Sequence, residues 1–159
     1  MEQNRFSSLP IQEPILQAVQ EMGFQEMTEI QSKAIPPILE GRDVIAKAPT
    51  GTGKTCAFGI PLIERIDPEN PDIQAVILAP TRELATQIRD DLEALTRFMP
   101  QVRTLVVYGG QSMDKQKQQL KKGAHILVAT PGRLLDLMQH RYLSLKSVTA
   151  AVLDEADKM

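Results

Sequence analysis

Two stretches of this 159-residue chain carry residue types suited to handling a phosphate. The first is Ala48-Pro49-Thr50-Gly51-Thr52-Gly53-Lys54-Thr55. Gly51 and Gly53 let the backbone turn its N–H groups toward an anion. Lys54 offers a cation to β- and γ-phosphates, and Thr55 a hydroxyl for Mg²⁺. The pattern is that of a P-loop, with Ala48 where the first glycine usually stands. The second is Asp154-Glu155-Ala156-Asp157, which closes an apolar run. There Asp154 can hold Mg²⁺, directly or through water, and Glu155 can orient and deprotonate an attacking water. Alone, the first is a Gly-rich turn with a chance lysine and the second a solvated acidic turn. Together, with Asp154 standing 100 positions after Lys54, they read as the two halves of one nucleotide-hydrolysing site.

Such motifs need elements that place them. Strand-length apolar runs recur at Val44-Ile45-Ala46, Ala75–Leu78, Thr104–Val107, Ile126–Val128 and Ala150–Leu153. They are short, β-branched and nearly continuous, as strands buried on both faces are. Helical spacing lies between them: Leu84, Ile88, Leu92 and Leu95 share one face, and Leu134, Leu135 and Met138 another. Two helices precede the first run. Ile11, Ile15, Val19 and Met22 mark one that stops at Gly23; Thr28 and Gln31 open the other, interrupted at Pro36-Pro37 and ended by Gly41. Alternation of strand and helix predicts an α/β fold, a parallel β-sheet sandwiched by helices. Each motif follows a strand, and ligands of open parallel sheets bind beyond the strands' carboxyl ends.

Composition agrees with one domain over residues 1–159, with 42% hydrophobic and 24% charged residues. A net charge of −2 supplies no global basic field, so any nucleic-acid site is local. The single cysteine, Cys56, forms no internal disulfide, fits a reducing cytoplasm, and reads as a small buried side chain early in a helix. No run approaches a membrane span, and the first ten residues lack signal-peptide features. Lys115, Lys117, Lys121 and Lys122 read as a solvated helix face, and neither His125 nor His140 has a partner at metal-ligand spacing.

At this level of detail the chain resembles the DEAD-box RNA helicases, whose name is spelled by residues 154–157, from Phe6 to Asp157. The resemblance implies a RecA-like P-loop NTPase domain using ATP and Mg²⁺. Residues 23–31 look like the family's Q motif, within a Q-motif region spanning 4–32. By that likeness Gln31 bonds the adenine edge and Phe6 packs near the base. An amide suits adenine because it donates and accepts at once. Thr28 and Gln31 also have the spacing of a capping box, and Met27 replaces the family's usual proline. Pro80-Thr81-Arg82, Gly109-Gly110 and Thr130-Pro131-Gly132-Arg133 resemble its RNA-contact motifs. Contacts of that kind hold phosphates without reading bases. For Arg82 and Arg133 the alternative is a surface salt bridge, and for Pro131 a favoured first helical residue.

The likeness further implies a parent protein with a second RecA-like domain, carrying arginine fingers and half the RNA site, downstream of the acidic cluster. On that expectation the 159 residues are the first domain, truncated after its DEAD motif and short of a last strand. An arginine finger is worth roughly 10³–10⁵ in rate, so this chain alone would bind nucleotide weakly, turn it over very slowly and unwind nothing. Two other functions fit the P-loop and acidic cluster: a helicase ATPase acting on DNA, and a nucleotide- or RNA-binding module without turnover.

Overall fold

The computed structural model describes residues 4–48 and 51–159. They fall into two compact units: the chain up to Arg65 with Asp91–Pro100, and Ile66–Asp90 with Gln101–Met159.

The second unit holds the sheet. Strands β1 (Ala75–Leu78), β2 (Thr104–Val107), β3 (Ile126–Ala129) and β4 (Ala150–Leu153) run parallel in the order β2-β3-β1-β4. All four residues of β3 are fully buried, as a central strand covered on both faces requires. The register aligns Leu105, Leu127 and Val76 across three strands, then Val107, Ala129 and Leu78 one step on. This stripe alternates along each strand with period two and packs under Leu134 and Leu137. At the sheet edge, β4 leaves Ala151 and Leu153 exposed.

Helix α4 (Arg82–Leu95) follows β1, α5 (Met113–Lys121) follows β2 and α6 (Pro131–Gln139) follows β3. Leu84, Ile88, Leu92 and Leu95 of α4 are all buried, as their spacing predicts. The expected stripe on α6 is different. Leu134 and Leu137 are buried, whereas Leu135 and Met138 are exposed at 55% and 41%. Adjacent helical residues point about 100° apart, so Leu134 and Leu135 cannot share a face. The sequence offers the stripes 134/137 and 135/138 equally, and the sheet takes the first.

His125, just before β3, binds the strand starts together. Its backbone carbonyl accepts from the N–H groups of Gln74 (2.8 Å) and Ala75 (3.2 Å). Its own N–H donates to Arg103. The ring Nδ1 accepts from the Arg103 N–H at 3.0 Å, and Nε2 lies 3.2 Å from the Pro68 carbonyl. A carbonyl only accepts, so the proton sits on Nε2.

In the first unit, α1 (Glu13–Glu21) buries Ile15, Ala18 and Val19 and stops at Gly23 as expected. Helix α2 (Glu29–Leu39) is not interrupted at Pro36-Pro37. The two prolines fall in its closing turns and withhold bonds from the carbonyls of Ser32 and Lys33, residues that reach solvent. Bonds from Glu40 to Pro36, Gly41 to Ile38 and Arg42 to Pro37 then close the end. Helix α3 (Thr52–Glu64) begins within the phosphate-loop sequence.

The expected strand at Val44-Ile45-Ala46 does not form. Residues 42–48 are irregular, and Ile45 is wholly exposed. An apolar run becomes a strand only where another backbone lies alongside to take its N–H and C=O groups. No described segment pairs with this one.

Candidate functional site

The phosphate-loop residues lie in the first unit. Gly51 is the N-cap of α3, with extended backbone at φ 159° and ψ 173°, and its carbonyl accepts from the N–H groups of Lys54 and Thr55. The open first turn of such a helix presents N–H groups and a partial positive charge to an anion. Ala48, Gly53 and Lys54 are half-buried, and Thr55 is buried. Pro49 and Thr50 lie outside the described residues, as does the side chain of Thr52. Cys56, one residue further along α3, is wholly buried, and desolvation, with Asp91 adding repulsion, pushes its thiol up to about 12. It is the inert core thiol that its position predicts.

Gln31 packs against this loop. Only 1% exposed, its Oε1 accepts from the Thr28 N–H at 2.8 Å while the Thr28 hydroxyl accepts from the Gln31 N–H at 3.4 Å. The capping box is therefore formed. Its Nε2 donates to the Gly53 carbonyl at 3.0 Å. One amide thus links the start of α2 to the phosphate loop and retains a second N–H and a second lone pair. The preceding turn is held by the N-terminal segment, through Phe6 N–H to Gln25 (3.2 Å), Met27 N–H to Asn4 (2.7 Å) and a bridge between Arg5 and Glu26. The Phe6 ring is 1% exposed and fills the core, presenting no face to solvent.

In the second unit, the remaining motifs share one rim because they follow the carboxyl ends of neighbouring parallel strands. Pro80-Thr81-Arg82 follow β1, Gly109-Gly110 follow β2, Thr130 to Arg133 follow β3, and Asp154-Glu155 follow β4. The Thr81 hydroxyl caps α4 by accepting from the Leu84 N–H at 3.2 Å. Thr130 is the N-cap of α6 with no side-chain cap bond, and Pro131 takes the first helical turn. Thr81, Arg82, Gly109, Gly110, Pro131 and Gly132 are exposed. The Arg82 guanidinium lies 4.9 Å over the Tyr108 ring. Gly110 adopts φ +89°, which favours glycine; Gly109 does not, and a Cβ there would meet nothing within 4 Å.

Arg133 turns inward. Its Nη2 donates to the Gln111 carbonyl at 3.1 Å, and Nη1 to Gln116 Oε1 at 3.2 Å with Met113 Sδ at 3.6 Å. Neither Arg82 nor Arg133 forms a salt bridge among the described residues. Asp154 is 6% exposed, and its N–H donates to the Leu78 carbonyl, extending the β4 pairing. Glu155 adopts the left-handed φ 50°, ψ 48°, and its carboxylate pairs with Lys158 at 3.0 Å, which raises the lysine's pKa. Among the described residues no cluster of three His, Cys, Asp or Glu side chains could cage a metal.

Residues 28–159 match the family model for the DEAD/DEAH box helicases. The chain belongs to the DEAD/DEAH box helicase family. A DEAD-box ATP-dependent RNA helicase CshA of Bacillus licheniformis is 49% identical over 97% of this chain and 31% of its own length. An ATP-dependent RNA helicase CshA of Listeria monocytogenes is 50% identical over 98% of this chain and 30% of its own. The chain therefore spans about three tenths of these curated relatives. The crystal structure of a DEAD box protein from the hyperthermophile Methanococcus jannaschii superposes with a TM-score of 0.89 at 42% identity, covering 98% of this chain and 42% of that one. The α/β, RecA-like fold read from the sequence is thereby shown.

Some residues that touch the motifs of this DEAD/DEAH box chain are not marked by the sequence. Tyr108, Gln111, Gln116 and Lys158 carry no motif of their own. The signal for Gln116 was present: Met113, Gln116 and Leu120 form the inward stripe of α5, so a glutamine stands among apolar positions. The lysines of this stretch drew the eye instead. Lys115, Lys121 and Lys122 are exposed, as a solvated face requires, and Lys117 lies 4.6 Å over the Tyr142 ring.

Proposed function

We propose that this chain is the ATP-binding domain of an ATP-dependent RNA helicase. The whole protein would hydrolyse ATP to ADP and phosphate, coupled to RNA binding and local duplex separation. The family match and two relatives named ATP-dependent RNA helicases support this reading. The observation that carries it is the rim. Three separate segments follow the ends of adjacent strands and offer exposed glycine backbone, hydroxyls and helix starts. Gly109 adds weight: nothing among the described residues demands a glycine there, whereas close approach of a sugar–phosphate backbone would. Thr81, Arg82, Gly109, Gly110 and Thr130 to Gly132 would face RNA phosphates and sugars, with Pro80 shaping the turn and Arg133 acting from behind.

For the nucleotide, residues 48–55 would wrap the phosphates, Lys54 would neutralise the β- and γ-oxygens, and Gln31 would bond adenine through its spare N–H and lone pair. Phe6 would act by anchoring the Q-motif turn rather than by stacking. Thr55, a buried hydroxyl, and Asp154, a buried carboxylate, would each offer Mg²⁺ the oxygen ligand that it prefers, since this ion takes few protein ligands beside phosphates and water. When bound, Mg²⁺ would supply charge neutralisation between the β- and γ-phosphates. Glu155 would hold the attacking water and accept its proton as the oxygen bonds to the γ-phosphorus and ADP departs. The second RecA-like domain of the parent would complete the RNA site and supply the arginines for turnover. The single free thiol suits the cytoplasm, and no helix among the described residues is long and apolar enough to cross a membrane.

The test is ATPase activity of the whole protein with single-stranded RNA and with DNA of the same sequence, beside a Glu155→Gln variant. RNA-selective stimulation, lost in the variant while ATP binding persists, is the expected result. Equal stimulation by DNA would make it a DNA-acting ATPase, and no difference between wild type and variant would make it a binding module.

A further inference from the structure

Gln116 is wholly buried on α5, yet every partner of its side chain lies in or beside a rim motif. Its Nε2 donates to the Tyr108 carbonyl and to Gln111 Oε1, both at 3.0 Å, and its Oε1 accepts from Arg133 at 3.2 Å. Gln111 in turn donates to the Tyr108 hydroxyl at 2.7 Å, and its carbonyl accepts from Arg133. Tyr108 carries the Arg82 guanidinium over its ring. The residues on either side of the exposed Gly109-Gly110 pair are therefore pinned from behind, and the pins join all three proposed RNA-contact segments.

Core packing alone does not call for an amide here, because its stripe neighbours Met113 and Leu120 are apolar and an apolar side chain of similar length would fill the space. A buried amide is tolerated only when its hydrogen bonds are made, and a fully bonded network fixes one geometry. Two consecutive glycines make the most mobile backbone a loop can have. We propose that Gln116 is a positioning residue: it clamps the Tyr108–Gln111 loop so that the glycine backbone is preset for a nucleic-acid phosphate. This rests on the RNA reading of the rim.

The variant Gln116→Met keeps length and packing but removes all three bonds, and Leu120→Ala loosens the same helix without touching the clamp. Two quantities are measured on the chain: NMR order parameters of the Gly109 and Gly110 amides, and affinity for a single-stranded oligouridine RNA, with Mg-ADP affinity as control. In Gln116→Met the order parameters should fall from about 0.85 to below about 0.6. RNA should bind about tenfold more weakly and Mg-ADP unchanged. Leu120→Ala should lower stability and leave both loop order and RNA affinity near wild type. Unchanged order parameters in Gln116→Met overturn the clamp. A loosened loop with unchanged RNA affinity overturns its role in RNA binding. If Arg82→Ala and Thr130→Ala are equally without effect, or the wild-type chain binds no RNA, it is the RNA reading of the rim that has failed.

Discussion

Gln31 serves two masters in this structure, and Gln31→Ala separates them. Its amide is 1% exposed, accepts from Thr28 and donates to Gly53. Each neutral hydrogen bond contributes about 1 kcal/mol net, and the lost buried methylene about 0.8, so stability should fall by about 3 kcal/mol. The nucleotide effect divides differently. Losing the tether to Gly53 loosens the phosphate loop for any nucleotide and costs about 1 kcal/mol, near fivefold in affinity. On the proposed reading, losing a bond to adenine would cost about another 1 kcal/mol, for the adenine nucleotide alone, giving roughly thirtyfold in total. Calorimetric titration with Mg-ADP and Mg-GDP, beside a urea melt, measures all three quantities. Weakening by about fivefold for both nucleotides would leave the tether and remove the adenine contact. Unchanged binding of both, with stability lowered, would refute the reasoning and leave Gln31 as a helix cap.

Cys56 should resist a thiol reagent in the folded chain and react on unfolding, and rapid labelling of the native state would contradict its burial. Its pKa is raised from 9.0 to about 12, so the unfolded chain loses this proton first as pH rises. Stability present below pH 9 is then lost upward, by on the order of 1 kcal/mol near pH 10, a slope that Cys56→Ala should lack in urea melts. His125→Ala orphans the Arg103 N–H and the Pro68 carbonyl and should cost about 2–4 kcal/mol, while the exposed His140→Ala stays within about 0.5. Leu137→Ala should cost about 2–5 kcal/mol and Leu135→Ala under about 0.5 by the same melts; the reverse order would mean that α6 presents its other stripe. On the proposed RNA reading, Arg82 is the one exposed cation of the rim motifs, so log affinity against log salt should have a slope of about −1, and a slope steeper than about −3 would place the binding surface elsewhere.

The strands of the second unit were legible because each is a short, nearly continuous apolar run whose pairing partners lie within the same unit. The run at 44–46 has the same composition and no strand, because pairing belongs to two segments and a sequence window shows one. The stripe on α6 was ambiguous for a related reason: 134/137 and 135/138 are equivalent until a sheet face chooses. At α2 the prolines predicted a break, but their cost falls on carbonyls that reach solvent. The motif residues themselves were readable from type and spacing, since phosphate chemistry demands glycine, lysine, hydroxyl and carboxylate in a fixed order. Their supports were not. Gln116, Gln111 and Tyr108 are ordinary residues whose role exists only once β2, α5 and α6 are brought together.

The direction of the strands explains why these motifs can share one surface at all. In a parallel sheet every strand ends at the same edge, and every connection there leads into the start of a helix or a loop before one. Helix starts and glycine loops present N–H groups, so the edge gathers donors without needing many charged side chains, which agrees with a net charge of −2. Backbone donors meet phosphates and sugars equally well whatever base they carry. On the proposed RNA reading, indifference to sequence would then follow from the architecture rather than from a separate feature. What the fold does not supply is rigidity where two glycines adjoin, and the side chains spent on restoring it lie behind the surface, where motif reading does not look.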